Sequence, residues 1–159
     1  MAVKKRFPYR AAFVACSGGC REHDCSYGCV GCQLCVYACK FGAVALNEYG
    51  VAEVDEDRCI ACGACVRACP QELIRLHDCA NTIAVKCSNR SAGKQARAEC
   101  DVSCIGCGIC EKVCPAGAVR VEDNLSRIDE ALCLSCGQCA VRCPRGTIHD
   151  LRGVLTPVR

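Results

Sequence analysis

Hydrophobic and polar positions alternate in short stretches, and no pattern persists for long. AVAL and VAEV (43–46 and 51–54) flank the polar turn NEYG, and AVRV and SRID (118–121 and 126–129) flank EDNL. Strand-like residues around Asn, Asp and Gly predict two β-hairpins. SAGKQARAEC predicts one helix of about nine residues, with Ser91 as its N-cap. No run reaches the roughly 18 apolar residues of a transmembrane helix. Met1 to Arg10 is basic, but the apolar run behind it, Ala11 to Ala15, is too short for a secretory signal. The chain therefore reads as cytoplasmic, with no integral membrane span. No long linker or low-complexity tract interrupts it.

Cysteines punctuate these elements at a fixed period. The spacing C-x2-C-x2-C-x3-C occurs four times: Cys29-Cys32-Cys35-Cys39, Cys59-Cys62-Cys65-Cys69, Cys104-Cys107-Cys110-Cys114 and Cys133-Cys136-Cys139-Cys143. Proline follows three of them (Pro70, Pro115, Pro144), and Lys40 follows the first. The larger unit repeats as well. AAFVACSGGCREHDC and TIAVKCSNRSAGKQARAEC each place an apolar stretch, a Cys, a polar loop and a second Cys ahead of a run. Cys16 thus matches Cys87, and Cys25 matches Cys100. The chain is a duplication of a unit of about 70 residues. Residues 1–76 and 77–159 are the expected halves, with the seam at Leu76 to Asn81.

The spacing has a chemical reason. Three closely spaced thiolates can wrap one [4Fe–4S] cube on a tight loop, while the fourth Cys of such a run reaches the neighbouring cube of a pair. Proline then stops the turn. The expected ligand sets are Cys29, Cys32, Cys35 and Cys69; Cys59, Cys62, Cys65 and Cys39; Cys104, Cys107, Cys110 and Cys143; and Cys133, Cys136, Cys139 and Cys114. The small residues between ligands (Ala61, Gly63, Ala64, Gly106, Gly108, Gly137) let backbone N–H groups approach the sulfurs. The competing reading is a structural zinc module. Zinc ribbons use two separated Cys pairs and need no third and fourth Cys in one run.

Composition sharpens this. In 159 residues there are 22 Cys, no Trp, 4 Tyr, 3 Phe and 1 Met. So thin a core needs supplements, and in the expected compartment dense cysteines read as metal ligands, not disulfides. The formal charge is +3. Four thiolates at about −4 around a core of about +2 add roughly −2 per site, which takes the chain to roughly −5. That accounting and the scarcity of aromatic residues argue against nucleic-acid binding. No nucleophile–base constellation or phosphate loop is visible, so no catalytic residue is assigned and the chain is not read as an enzyme by itself.

Six cysteines lie outside the runs: Cys16, Cys20, Cys25, Cys79, Cys87 and Cys100. They read either as buried small hydrophobes or, through the repeat, as an extra site. Cys16, Cys25, Cys87 and Cys100 are duplicate-related and could hold a fifth cluster or a zinc, with Cys20 as a substitute. Among His23, His77 and His149, His23 lies in the Cys-rich loop and reads as a solvated side chain before a ligand. The basic ends, Met1 to Arg10 and Arg152 to Arg159, read as solvated or as docking segments.

FVACSGGC, VAEVDEDRCIACGACVRACPQELIRL and VKCSNRSAGKQARAEC before CIGCGICEKVCP together resemble the multi-cluster ferredoxin region of the Rnf complex's B subunit, over about residues 11 to 150. The family's membrane anchor and additional N-terminal cluster domain have no counterpart in this sequence, and Lys40 departs from the run's proline. The resemblance implies an α+β fold: a tandem duplication of bacterial two-[4Fe–4S] ferredoxin-like units, with short hairpins and short helices around four [4Fe–4S] clusters. It also implies relay of single low-potential electrons, in anaerobic metabolism, within a soluble hetero-oligomer. The expected partners are a larger catalytic oxidoreductase subunit (a flavin, tungsten or molybdenum enzyme, such as a tungsten aldehyde oxidoreductase) and/or ferredoxin. The alternative is a peripheral relay subunit of a membrane-bound Rnf-type complex.

Overall fold

The computed structural model describes residues 10–20 and 25–155. His23 and most of the two basic ends lie outside them. The elements run β1 (Arg10–Val14), α1 (Leu34–Ala38), β2 (Val44–Leu46), β3 (Ala52–Val54), α2 (Ala64–Ala68), β4 (Ile74–Asp78), β5 (Ile83–Val85), α3 (Gly93–Glu99), α4 (Ile109–Lys112), β6 (Val119–Glu122), β7 (Leu125–Ile128), α5 (Gln138–Arg142) and β8 (Ile148–Asp150). The fold is α+β and built twice from the same parts.

Both expected hairpins form. β2 pairs with β3, with Val44 opposite Val54, and β6 pairs with β7, with Val119 opposite Ile128. In the first turn Asn47 Oδ1 accepts the N–H groups of Tyr49 and Val51 at 3.0 and 3.1 Å. In the second, Asp123 and Asn124 both take left-handed backbone, φ 49° and 61°, which matches the twist of a two-residue hairpin loop.

Two further antiparallel pairs close each unit end to end. β1 pairs with β4, Ala12 opposite Leu76, and β5 pairs with β8, Ala84 opposite His149. Each unit gathers its own apolar cluster. One contains Val14, Val44, Ala52, Leu73 and Ile74, and the other Ile83, Val119, Leu125, Ala140 and Ile148. Cysteines complete both clusters, as so thin a core requires.

Three expectations need correction. The seam expected from Leu76 begins inside β4, because Leu76 to Asp78 pair with β1, and the chain turns only at Cys79 and Ala80. The helix of the second unit has seven residues and starts from Ala92, not Ser91. Ser91 Oγ is drawn away from capping to Glu99 Oε2 at 3.1 Å, and Gln95 Nε2 donates to Glu99 Oε1 at 2.7 Å. Arg10, expected in a solvated end, is the first residue of β1, opposite Asp78.

Candidate metal centres

The four cysteine runs share one backbone path. The residue after the second Cys is left-handed in each: Gln33, Gly63, Gly108 and Gly137, at φ 62°, 72°, 71° and 72°. That conformation crowds an L side chain, which accounts for glycine at three of the four. This reversal leaves the second Cys (Cys32, Cys62, Cys107, Cys136) exposed at the tip. It also starts the one-turn helices α1, α2, α4 and α5, on which the third Cys (Cys35, Cys65, Cys110, Cys139) is buried.

The fourth Cys follows each helix. Three residues later the chain turns left-handed again, at Gly42, Glu72, Gly117 and Gly146. The next N–H then points back at the sulfur: Ala43 to Cys39 at 3.3 Å, Leu73 to Cys69 at 3.5 Å, Ala118 to Cys114 at 3.3 Å and Thr147 to Cys143 at 3.4 Å. First cysteines are served in the same way. Ala61 and Ala12 both donate to Cys59 Sγ at 3.4 Å, and Ser135 donates to Cys133 Sγ at 3.4 Å. Hydrogen bonds of this kind favour the thiolate, the form that binds metal.

Cysteines of the two runs come together within each unit. One cavity is lined by Cys29, Cys32, Cys35 and Cys69 together with Val14, Leu46, Leu73 and Ile74. A second is lined by Cys59, Cys62, Cys65 and Cys39 with Ala12, Phe41, Val44 and Leu76. In the second unit the charge neighbours of Cys110 are Cys104 and Cys143, and those of Cys139 include Cys133 and Cys114. Each expected set of four thus has members of two runs in proximity. Among the described residues, no three His, Cys, Asp or Glu side chains close on a point as tightly as a single metal ion requires.

Burial pushes the thiols of Cys35, Cys65 and Cys110 up, and the neighbouring cysteines of the same cavities add to it. Cys139 is pushed up to about 11 by the same causes. Four sulfurs in one apolar cavity cannot all be anionic unless positive charge sits among them, so occupation by a cationic metal–sulfide core and loss of the thiol protons are linked. Apolar walls, inward N–H groups and four thiols per cavity fit a cuboidal iron–sulfur cluster.

The extra cysteines divide. Cys16, Cys25, Cys87 and Cys100 are buried where the two units meet. Cys20, which sequence reasoning left without a counterpart, joins them through an isolated antiparallel bridge to Cys100. Cys79 stands apart on the turn after β4, where its carbonyl accepts Arg152 Nη2 at 2.9 Å. His77 and His149 are both buried, 3% exposed each, and neither lines the two cysteine cavities of the first unit. Sequence reasoning missed Ser126, whose Oγ lies 3.3 Å from Cys110 Sγ. Its strand position in the second hairpin, on the same face as Ile128, was the available signal.

The family described as 4Fe-4S dicluster domain matches this chain. One form covers residues 28–73 and another covers 58–119 and 103–148. The B subunit of the Na(+)-translocating ferredoxin:NAD(+) oxidoreductase complex of Acetobacterium woodii is 43% identical over 120 residues, 76% of this chain and 35% of that protein. The B subunit of the proton-translocating ferredoxin:NAD(+) oxidoreductase complex of Clostridium ljungdahlii is 36% identical over 146 residues, 77% of this chain and 51% of that protein. The polyferredoxin-like subunit of the aliphatic sulfonate oxidoreductase of Pyrococcus furiosus is 45% identical over 51 residues, 30% of each chain. The chain spans about half or less of the length of these curated relatives. No helix among its described residues is long and apolar enough to cross a membrane.

Proposed function

The chain belongs to the 4Fe-4S dicluster domain family, and on that premise we propose that it is an electron-transfer subunit relaying single low-potential electrons between the redox partners of a larger oxidoreductase. What supports this reading is that two cavities of the first unit each line up four thiols drawn from both runs, while in the second unit Cys110 neighbours Cys143 and Cys139 neighbours Cys114. A cube bound in each would supply reversible one-electron chemistry. The ligand sets are Cys29, Cys32, Cys35 and Cys69; Cys59, Cys62, Cys65 and Cys39; Cys104, Cys107, Cys110 and Cys143; and Cys133, Cys136, Cys139 and Cys114. The residues between them do the rest. Aliphatic side chains line the inner side of the sulfurs, and the backbone N–H groups neutralise part of their charge.

Two two-cube units, meeting at the turn after β4, make up the chain in this reading. It works in the cytoplasm, in a hetero-oligomer with a catalytic subunit of the flavin, tungsten or molybdenum type. The likeness to the polyferredoxin-like subunit of an oxidoreductase supports a larger oxidoreductase as the partner. A place at the edge of a membrane-bound Rnf-type complex is the second reading, and it rests on the longer match to the B subunits of two ion-translocating complexes.

A redox titration of anaerobically purified protein, followed by its visible absorption and low-temperature electron paramagnetic resonance, tests the function. The expected result is broad absorption that bleaches on reduction, with about one electron taken up per cube. A colourless, zinc-loaded protein that takes up no electrons contradicts it.

A further inference from the structure

All of the cysteines left over from the runs except Cys79 meet between the units, in an arrangement as ordered as the runs themselves. Ser17 Oγ donates to Lys86 O at 3.1 Å, and Ser88 Oγ donates to Ala15 O at 3.1 Å. These bonds are reciprocal between repeat-related positions, so the units face each other across a local two-fold axis. Cys16 and Cys87 follow directly on Ala15 and Lys86, one on each side of it.

Their sulfurs are dressed as cluster ligands are. Cys87 Sγ accepts the N–H of Asn89, two residues on, and the N–H of Cys104, both at 3.4 Å. Cys16 Sγ has the matching pair of backbone donors, Gly18 and Cys29. Cys59, in a run, likewise accepts from the residue two ahead and from a distant strand. Cys25 Sγ takes the backbone N–H of Tyr27, again two residues on, and Asn89 Nδ2 at 3.3 Å. Burial pushes these thiols up, as it does those of the run cysteines, and donors aimed at the sulfurs favour the thiolate against it.

The four also cross between units, as the fourth cysteines of the runs cross within them. Cys25 of the first unit reaches the Cys87–Asn89 turn of the second through Asn89. Cys100 of the second reaches the Cys16–Gly18 turn of the first, its Sγ 3.7 Å from Gly18 O. Cys25 and Cys100 are charge neighbours, as are Cys16 and Cys25, and Cys87 and Cys100. Together these links join all four cysteines into one set. All four are buried, at 9%, 9%, 8% and 6% exposure.

We propose that Cys16, Cys25, Cys87 and Cys100 form a fifth thiolate cage, on the axis between the units, that holds a [4Fe–4S] cube. The assignment rests on the four-cube reading of the runs. Cys20 lies against both Cys100 and Cys25, with Cys16 a further charge neighbour, so it is the sulfur placed to stand in for a member of the cage. The site touches Cys29 and Cys104 through their N–H groups, the first ligands of one cavity in each unit. A redox centre there would lie on the path from one unit to the other.

Iron and acid-labile sulfide per chain, on intact protein purified without oxygen, test the proposal. About 20 of each is expected, falling to about 16 in Cys87→Ser and in Cys16→Ser. Brief anaerobic alkylation of the unaltered protein, mapped by mass spectrometry, should label Cys79 and spare Cys16, Cys25, Cys87 and Cys100. About 16 iron overturns the fifth site and leaves the run cubes standing, whether the four buried seam cysteines are alkylated or spared. About 16 iron with one zinc, or with a Cys20–Cys100 disulfide, overturns it equally. Iron well below 16 with several zinc ions per chain fails the underlying reading instead.

Discussion

The two units share a frame and solve its local problems with different residues. At the left-handed position before the run helix, the first run has Gln33 where the other three have Gly63, Gly108 and Gly137. On the inner face of the hairpin, the first unit has Ala52 against the cavity of Cys29, Cys32, Cys35 and Cys69. The second unit has Ser126 at the matching register, with its Oγ 3.3 Å from Cys110. Where the first unit leads from Cys16 to Cys25 by a shorter segment, the second inserts α3, seated by Gly93 where an added Cβ would come within 2.9 Å of Ile105 O. The differences teach that the sulfur positions and the backbone turns around them are the invariant part. Side chains facing the sulfurs are free to vary, and variation there tunes each centre.

Breaking the shared part should have the largest effect. Cys39→Ser and Cys114→Ser should each remove one cube, about 4 iron per chain, and leave the other unit's iron intact. Iron analysis of both variants checks this, and a loss that spreads across both units would mean that the units do not fold as separate cages.

Backbone strain comes next. Gln33→Gly should stabilise the first unit by about 1 kcal/mol, because a left-handed non-glycine residue costs about 1–2 kcal/mol. Gly63→Gln should destabilise by a similar amount. Denaturant midpoints of the loaded protein, compared at constant slope, read both changes.

The hairpin difference predicts a difference in potential. A cluster-bound Cys110 sulfur carries no proton, so Ser126 donates. That bond favours the more negative, reduced state and raises the potential of its site above that of the Ala52 site. Ser126→Ala should lower it by roughly 20–60 mV, the one-electron equivalent of a hydrogen bond of about 0.5–1.5 kcal/mol. Ala52→Ser should shift the first unit upward, and a potentiometric titration of each variant decides.

The smallest effect concerns His77. Burial alone would lower its pKa, but Glu56, with Oε1 3.3 Å from His77 Nε2, raises it above the ordinary 6.5. A raised folded value means that this pair's stabilisation is fully present below the unfolded pKa and is lost as pH rises through the folded one. With Glu56 one-third exposed, solvent screening keeps it at about 1 kcal/mol or less. His77→Gln should flatten stability against pH in that window. His149, the second unit's buried histidine, instead lies 3.2 Å from the Ser17 hydroxyl, across the seam between the units.

Much of this was legible in the sequence, because the cysteine spacing dictates the turns. The hairpins followed from alternation around NEYG and EDNL. The one-turn helices did not show, since four or five residues inside a cysteine run carry no helical period and are set by the turn before them. The β1–β4 and β5–β8 pairings join the two ends of each unit, with no turn signal between the paired segments. Ser91 had the chemistry of a cap, and Glu99, eight residues on, competed for it. The repeat did reveal the relation of Cys16 to Cys87, while the reciprocal serines beside them needed the fold.

The crossing of the runs is the central claim, and alkylation mapping of Cys39→Ser tests it most directly. Purified without oxygen and treated briefly with iodoacetamide, the variant should expose Cys59, Cys62 and Cys65 to labelling while Cys29, Cys32, Cys35 and Cys69 stay protected. Labelling of Cys29, Cys32 and Cys35, with Cys59, Cys62 and Cys65 protected, would contradict it.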